Sequence, residues 1–299
     1  MYFNYISGEN KVIHPMPARL ECVWLMSGLA VCLWFLFCWY IVWWIILGFS
    51  MKFGPVIWFD SLGSTNVHLR KMLSEDASLR SGTVIAARQQ REGRGRGDRS
   101  WVSSSGKDLT FSFFLRVEVE PASIASLALV AGLGVAEALE KVGVRGRLKW
   151  PNDVLAGGRK ICGILSEHTG ADSGGSAGAI VGVGVNVNMN EAESAEIDVP
   201  ATSVFIETGR CVEVDYVLEL ILERLGGWIE RWKEGGFAAV RKDWLAVSDD
   251  VGQAIKVVEV GGGSRSGMFA GLGKMGELLL KDSGGGEHKI WAGDVLLTQ

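Results

Sequence analysis

The sequence predicts an α+β protein with a small all-β unit at its C-terminal end. Gly157 and Gly158 separate two short apolar segments, and such a pair permits the positive φ angles of a tight β-hairpin. Apolar residues recur every three or four positions from Val214 to Trp232, which is the spacing of a helix with one buried face. After Trp244 the chain changes to short apolar runs between glycine-rich turns, a texture typical of a small β-barrel or sandwich.

Short strands and helices are expected to alternate from Met51 onward. Strands are predicted at 56–59, 83–88, 109–116, 147–150, 154–156, 159–167 and 179–187, and helices at 66–74, 121–142 and 214–232. Segment 170–178 is rich in Gly, Ser and Asp and is expected to be a flexible surface loop. The change of texture places a domain boundary near Ser248, which gives a main domain at 51–247 and a C-terminal domain at 248–299.

Composition narrows the classes of protein that this chain can be. It has 299 residues, of which 48% are hydrophobic and 21% charged, enough for a folded protein with a sizeable core. Its formal net charge of −4 argues against a general nucleic-acid binder, because phosphate affinity depends on an excess of Lys and Arg. The five cysteines form no CxxC pair, which favours a reduced, cytosolic compartment, and Cys162 is interpreted as a small buried residue.

The N-terminal segment, residues 1–50, is a separate question. No charged residue lies between Glu21 and Lys52, and the apolar stretch at 22–49 exceeds the roughly 20 residues that span a bilayer. Two interpretations are open: this segment is a membrane anchor, or translation starts at Met51. Basic residues lie on both sides of the stretch, so the positive-inside rule selects no orientation.

Glycine and arginine alternate at Gly93, Arg94, Gly95 and Arg96, directly after an expected strand. Glycine lets a backbone approach a ligand closely, and guanidinium groups bind carboxylates and phosphates through two hydrogen bonds. The spacing is not that of a dinucleotide-binding loop, because Asp98 stands where a third glycine is needed, and the chain has no Gly-Lys-Ser/Thr sequence. The pattern predicts an anion site, while an RNA contact and an ordinary solvated loop stay open as alternatives.

A second motif runs from Lys149 to Leu155 as Lys-Trp-Pro-Asn-Asp-Val-Leu, and Gly158–Glu167 follows as Gly-Arg-Lys-Ile-Cys-Gly-Ile-Leu-Ser-Glu. The polar pair Asn152 and Asp153 interrupts two apolar strands, and a lysine begins the next strand. Such groups lower stability unless they meet partners or a ligand. A hairpin with a solvent-facing lysine is the simpler alternative.

Taken together, these motifs resemble those of the biotin protein ligases in order and spacing. The resemblance also includes Asp60–Asn66, Gly182–Val187 and the sequence Ala-Thr-Ser at 201–203, and it covers about residues 54–299. It implies a class II synthetase-like catalytic domain, in which a mixed, mostly antiparallel sheet packs with helices, followed by a small C-terminal β-barrel. The implied activity is ATP-dependent formation of biotinyl-adenylate and transfer of biotin to a lysine of a carrier protein.

The resemblance also implies roles for individual residues. Biotin contacts are implied for Ser64, Thr65, Asn66, Gln90, Arg94, Gly95, Arg96 and Lys160. ATP contacts are implied for Arg94, Arg96, Asn152, Asp153, Lys160 and Asn186, and the catalytic cations are Lys160, Arg94 and Arg96. No side chain is assigned as a metal ligand, although Mg²⁺ is expected with ATP, and Trp101 is expected to pack under the closed loop.

The expected partner is a biotin carboxyl carrier protein, such as an acetyl-CoA carboxylase subunit, and the expected location is the cytoplasm or, with an anchor, the inner membrane. No helix-turn-helix pattern precedes the catalytic part, so the resemblance implies no DNA-binding role, and either a monomer or a homodimer is compatible with it. Asp98 departs from the family pattern by adding a negative charge near the expected phosphate. Two rivals stay open, a lipoate or other acyl-adenylate ligase and a non-catalytic membrane-anchored binding module.

Overall fold

The protein is described here by a computed structural model that covers residues 51–170, 178–259 and 262–298. The apolar segment at 22–49, with its two interpretations, and most of the expected loop at 170–178 lie outside these residues. The strands are β1 (Val56–Phe59), β2 (Val84–Ala87), β3 (Leu109–Arg116), β4 (Arg147–Lys149), β5 (Asp153–Ala156), β6 (Arg159–His168), β7 (Gly178–Val185), β8 (Ala254–Glu259), β9 (Ser264–Leu272), β10 (Leu278–Lys281), β11 (Glu287–Ile290) and β12 (Gly293–Leu297). The helices are α1 (Thr65–Glu75), α2 (Pro121–Lys141), α3 (Glu191–Ser194), α4 (Val204–Thr208), α5 (Val214–Gly235) and α6 (Arg241–Val247), with a short 3-10 turn at Phe237–Ala239.

The first seven strands form one sheet in the order β1-β2-β3-β7-β6-β5-β4. Only β1 and β2 pair in parallel, and the other ladders are antiparallel, which confirms a mixed, mostly antiparallel sheet packed with helices. In the centre, β3 runs against β7 with Phe111 opposite Val183, and β7 runs against β6 with Val185 opposite Cys162. Strands β3 and β7 are almost entirely buried, whereas β6 is mostly half-buried, so the two buried strands form a firm platform beside it.

The remaining strands form an antiparallel sheet of five strands in the order β11-β10-β9-β8-β12. This sheet is the predicted C-terminal β unit. It joins the main sheet at Trp150, whose indole Nε1 donates to the Gly276 carbonyl at 3.0 Å. Both sheets belong to one compact unit, Ser50–Gln299, so a division into domains near Ser248 stays a prediction.

The two long helices α2 and α5 pack against each other beside the main sheet. Gly134 in α2 leaves room for Leu225 of α5, since a Cβ at Gly134 would lie 2.9 Å from the leucine side chain. The indole of Trp232 donates to the Ser126 hydroxyl at 2.9 Å, which satisfies a buried polar pair. Within the described residues, one helix, Ala122–Lys141, is long and apolar enough to cross a membrane, but most of it is buried inside the protein.

The sequence predicted the long elements to within a few residues. Gly157 and Gly158 have φ of 54° and 78°, as the predicted hairpin turn requires. Three short helices, α3, α4 and α6, were not predicted. They are four, five and seven residues long, and so few turns do not establish a helical period in the sequence.

Candidate active site

A cavity of about 750 Å³ opens over β5, β6 and β7, beside the Gly/Arg loop at 93–99 and beside β12 of the second sheet. Its volume is in the usual range for small-molecule sites. All the site residues that the sequence predicted line this one cavity: Ser64, Thr65, Asn66, Gln90, Arg94, Gly95, Arg96, Asn152, Asp153, Lys160 and Asn186. The structure therefore brings them together, and the role of each remains a prediction.

One wall of the cavity is a buried polar network at the start of α1. The Gln90 side-chain oxygen accepts from the Thr65 backbone N–H at 2.7 Å and from the Thr65 hydroxyl at 2.9 Å. The Ser112 hydroxyl lies 2.7 Å from the Thr65 hydroxyl and donates to Asn66 Oδ1 at 2.6 Å. Ser112 was missed by the sequence analysis, although a serine inside the apolar run of β3 was a usable signal.

The network continues from Asn66 to Glu167 at the end of β6. Asn66 Nδ2 donates to Glu167 Oε2 at 2.8 Å, while Arg94 Nη1 lies 3.8 Å from Glu167 Oε1. Gly182 makes room for this amide, because a Cβ there would lie 2.2 Å from Asn66 Oδ1. Glu167 therefore orients Asn66 and lies within ion-pair distance of Arg94, contacts that the sequence did not indicate.

The Gly/Arg loop is a tight hairpin, and each of its glycines has a geometric reason. A Cβ at Gly93 would lie 2.3 Å from the Trp101 carbonyl oxygen, so only glycine fits. Gly95 donates its N–H to the Arg99 carbonyl at 2.7 Å, and this close approach would put a Cβ at Gly95 only 3.2 Å from Arg99 Cβ. Gly97 has a φ of 65° at the tip of the loop. These contacts hold the alternating arginines on the cavity side.

The loop is tied to the C-terminal sheet through Asp294 on β12. Arg96 and Arg99 both form ion pairs with the Asp294 carboxylate, and Arg96 also donates to the Gly293 carbonyl at 2.6 Å. We call this contact the Asp294 latch. It joins positions nearly two hundred residues apart, which no local sequence pattern reveals.

Trp101 forms the floor of the cavity together with two glycines. A Cβ at Gly184 would lie 2.3 Å from the indole ring, and a Cβ at Gly163 would lie 2.9 Å from it. Lys160 Nζ lies 5.8 Å from the centre of the same ring. The indole thus packs flat on the sheet because both central strands carry a glycine beneath it.

Lys160 and the Asn-Asp pair occupy the next part of the cavity. Lys160 Nζ lies 2.7 Å from Asp153 Oδ1, and each of these side chains is about a quarter exposed. Asn152 Nδ2 donates to the Ile164 carbonyl at 2.7 Å, and Asn186 Nδ2 donates to the Thr202 carbonyl at 2.9 Å. Asn186 Oδ1 is buried without a hydrogen-bond partner among the described residues, so it is available to accept from a ligand.

Cys162, His68 and His168 do not supply a nucleophile or base to the cavity. The Cys162 side chain is fully buried, and burial raises the pKa of its thiol, which keeps it protonated. His68 packs edge-on against Phe59 with ring centres 4.6 Å apart, and His168 is exposed on the far end of β6. The geometry favours chemistry by positioning and charge rather than by a thiolate or an imidazole.

Asp108 anchors the segment that carries Asn186. Its carboxylate is 2% exposed and accepts from the backbone N–H groups of Ser104 at 2.8 Å and Val187 at 3.0 Å. Burial raises the pKa of Asp108 to about 6, although the two N–H donors act in the opposite direction. The nearby charges of Lys107 and Glu193 have smaller effects.

Asp108 is expected to make stability depend on pH. Since the folded protein binds a proton at Asp108 more tightly than the unfolded chain does, this carboxyl contributes stability at low pH that is lost as the pH rises through about 6. The free energy of unfolding of the wild type, minus that of Asp108→Asn, is expected to fall by about 2–3 kcal/mol between pH 4 and pH 7. Urea denaturation of both proteins across this range measures the difference, and a difference that stays constant or grows contradicts the assignment.

Known proteins are similar to this chain in sequence and in fold. Residues 58–186 match the family model described as the biotin/lipoate A/B protein ligase family. The biotin–[acetyl-CoA-carboxylase] ligase of Paracoccus denitrificans is 34% identical over 74% of this chain and 92% of its own length. The bifunctional ligase/repressor BirA of Escherichia coli is 32% identical over 80% of this chain and 73% of its own length. Among solved structures, the biotin protein ligase of Aquifex aeolicus in complex with biotin and ATP has a TM-score of 0.68 and 32% identity, covering 83% of this chain and all of that one.

Proposed function

This chain belongs to the biotin protein ligases of the biotin/lipoate A/B protein ligase family, and on that premise we propose that it activates biotin with ATP and transfers it to a carrier protein. The observation that carries the proposal is that one cavity is lined by three groups of residues. These are the polar wall at the start of α1, the Gly/Arg loop, and Lys160 together with Asn152 and Asp153. The acceptor is a lysine of a biotin carboxyl carrier protein, and the name of the Paracoccus relative gives acetyl-CoA carboxylase as the acceptor of that enzyme.

The first half-reaction joins two anions. A biotin carboxylate oxygen attacks the α-phosphorus of ATP, the bond from that phosphorus to the bridging oxygen breaks, and pyrophosphate leaves with the electron pair. Lys160, Arg94 and Arg96 all line the cavity, and their charges offset the repulsion between carboxylate and phosphate. Each of them has a carboxylate partner in the structure, so the substrates displace or share those partners.

The nucleotide end of the cavity is assigned to Asn152, Asp153 and Asn186. Among the described residues no group of three His, Cys, Asp or Glu side chains is suited to hold a metal. Protein-bound Mg²⁺ commonly uses only one or two carboxylates together with substrate phosphates, and Asp153 fits that role because it lines the cavity. When bound, the ion would neutralise phosphate charge.

The second half-reaction needs the intermediate to be kept from water. The carrier lysine amine attacks the acyl carbon of biotinyl-adenylate, AMP leaves with the electron pair of the broken bond, and the amine loses a proton. The Gly/Arg loop, held by the Asp294 latch, covers the cavity between the two steps and excludes water.

The proposed activity also bears on where the enzyme works and on which oligomeric states it allows. The reaction consumes ATP, so the catalytic unit is expected to work in the cytoplasm, and a membrane anchor at 22–49 would have to leave it on that side. Both a monomer and a homodimer are compatible with this mechanism, and no DNA contact is needed for it.

The direct test is biotin-dependent release of pyrophosphate from Mg-ATP by the full-length chain, with lipoate and octanoate as parallel substrates. Release with biotin, followed by labelling of a biotin carboxyl carrier protein, is the expected result. Release only with lipoate or octanoate would move the function to the related acyl-adenylate ligases. A folded protein that binds biotin but activates none of the acids would be a binding module instead.

Loss of the Asp294 latch is expected to uncouple the two half-reactions. In Asp294→Ala the arginines of the loop lose their shared carboxylate, so the loop opens more often and biotinyl-adenylate reaches water. We expect the ratio of pyrophosphate released to biotin transferred to rise about tenfold, a change of about 1.4 kcal/mol in favour of the open loop. Asp282→Ala is the matched control, since Asp282 pairs with His288 on the same sheet but does not line the cavity. An unchanged ratio would show that the latch does not retain the intermediate.

A further inference from the structure

The cavity wall carries as many acidic as basic side chains, but among the described residues not every basic side chain has an ion-pair partner. Five cations line it, namely Arg94, Arg96, Arg99, Lys149 and Lys160. Arg94 faces Glu167, the other two arginines share Asp294, and Lys160 is paired with Asp153. Among the described residues, no carboxylate oxygen lies within 4.0 Å of Lys149 Nζ, so this lysine is the cavity cation that has no ion-pair partner.

Lys149 is placed beside the predicted nucleotide groups by the register of the sheet. It ends β4, the edge strand, and lies directly opposite Asp153 of β5. Directly opposed residues of an antiparallel pair have Cβ atoms about 5 Å apart. Asp153 therefore has Lys160 as its ion-pair partner and Lys149 as its cross-strand neighbour, and the positive charge of the cavity extends from Lys160 toward the second sheet.

Two aspartates, Asp249 and Asp250, lie on the side of Lys149 that faces the second sheet, and neither forms an ion pair with it. Asp249 is engaged in an ion pair with Arg147. Asp250 is 7% exposed, and one of its oxygens is buried without a hydrogen-bond partner among the described residues. Burial raises the pKa of Asp250, whereas the charge of Lys149 lowers it, so the two groups interact without forming an ion pair.

On the basis of the proposed function, we infer that Lys149 is a further catalytic residue that binds the β- and γ-phosphates of ATP and stabilises the departing pyrophosphate. Attack on the α-phosphorus transfers the electron pair of the broken bond to the bridging oxygen, so negative charge grows on the leaving group. Lys160, paired with Asp153, serves the carboxylate and the α-phosphate. The Lys149 ammonium group has no ion-pair partner among the described residues, so it can bind the increasingly negative pyrophosphate without first breaking an ion pair.

The test replaces Lys149 by methionine in the full-length chain. We expect a roughly thirtyfold weaker equilibrium affinity for ATP and for pyrophosphate, while biotin affinity stays within about twofold. Transfer from synthetic biotinyl-adenylate to the carrier is also expected to stay within about twofold, because that step involves no pyrophosphate. Lys149→Arg is expected to recover most of the ATP affinity, and Lys149→Gln serves as a second neutral variant if the methionine protein does not fold. Lys233→Met is the control, since Lys233 pairs with Glu230 on α5 outside the cavity.

Two results would overturn the inference. The first is unchanged ATP and pyrophosphate affinity in the folded neutral variants. The second is recovery of ATP affinity when Asp250→Asn is added to Lys149→Met, which would show that Lys149 only offsets the buried charge of Asp250. Because ATP binding is measured without an acid substrate, these results are distinct from failure of the proposed function, in which the wild type binds ATP but does not activate biotin.

Discussion

Lys160→Ala is expected to lower the rate of biotin-dependent pyrophosphate release about a thousandfold, which is the upper end of what removal of one preorganised charged donor costs. Lys160 Nζ is the cation next to both the Trp101 floor and the Asp153 carboxylate. The charge on the reacting carboxylate and α-phosphate therefore loses its nearest fixed partner in the variant. The fold is expected to persist, because Asp153 is partly exposed and water can solvate it once the lysine is gone.

A matched control separates this effect from the general loss of an ion pair. Lys107 Nζ lies 2.7 Å from Glu193 Oε1, the same distance as in the Lys160 pair, but Lys107 does not line the cavity. Lys107→Ala is therefore expected to keep its adenylation rate within about threefold of the wild type. Circular dichroism and thermal melting check that both variants are folded. Near-normal turnover by folded Lys160→Ala would remove this lysine from the mechanism.

Gly184→Ala is expected to lower kcat/KM for biotin about a hundredfold, equivalent to about 3 kcal/mol of transition-state stabilisation. The added Cβ would lie 2.3 Å from a carbon of the Trp101 ring, which is far too close for two carbon atoms that are not bonded to each other. The indole is the end of a side chain that can rotate away, so the strand persists while the floor of the cavity is displaced. The backbone N–H of Trp101 donates to the Gly93 carbonyl at 2.8 Å and closes the Gly/Arg loop, so the loop is expected to move when Trp101 moves.

Gly227→Ala provides the comparison for this variant. Gly227 is an exposed position of α5 where no atom of the described part of the chain lies within 4 Å of an added Cβ. The substitution is expected to leave biotin kinetics unchanged and to stabilise the helix by up to about 1 kcal/mol. Steady-state kinetics and biotin titration monitored by tryptophan fluorescence measure both variants. Wild-type kcat/KM in Gly184→Ala would mean that the position of the indole does not matter for biotin.

The sequence alone determined most of the local structure and the membership of the site. The apolar period from Val214 to Trp232 predicted α5, because a helix that buries one face must repeat its apolar residues every three to four positions. The pair Gly157-Gly158 predicted its hairpin, because few residues other than glycine accept positive φ. The family resemblance that the motifs carry predicted the residues that line the cavity. The Gly/Arg loop and Lys160 suit such a site because binding two anions needs close backbone approach and fixed cations.

The tertiary structure alone decided which of these groups hold each other in place. The Asp294 latch, the orientation of Asn66 by Glu167 and Ser112, and the flat packing of Trp101 on Gly163 and Gly184 all join positions distant in the chain. Lys149 illustrates the same limit, since its motif was visible in the sequence, whereas its lack of an ion-pair partner among the described residues was not. Local patterns report backbone preference and the burial of one face, whereas ion pairs and side-chain contacts depend on distances that arise only when the two sheets and the loop have packed together.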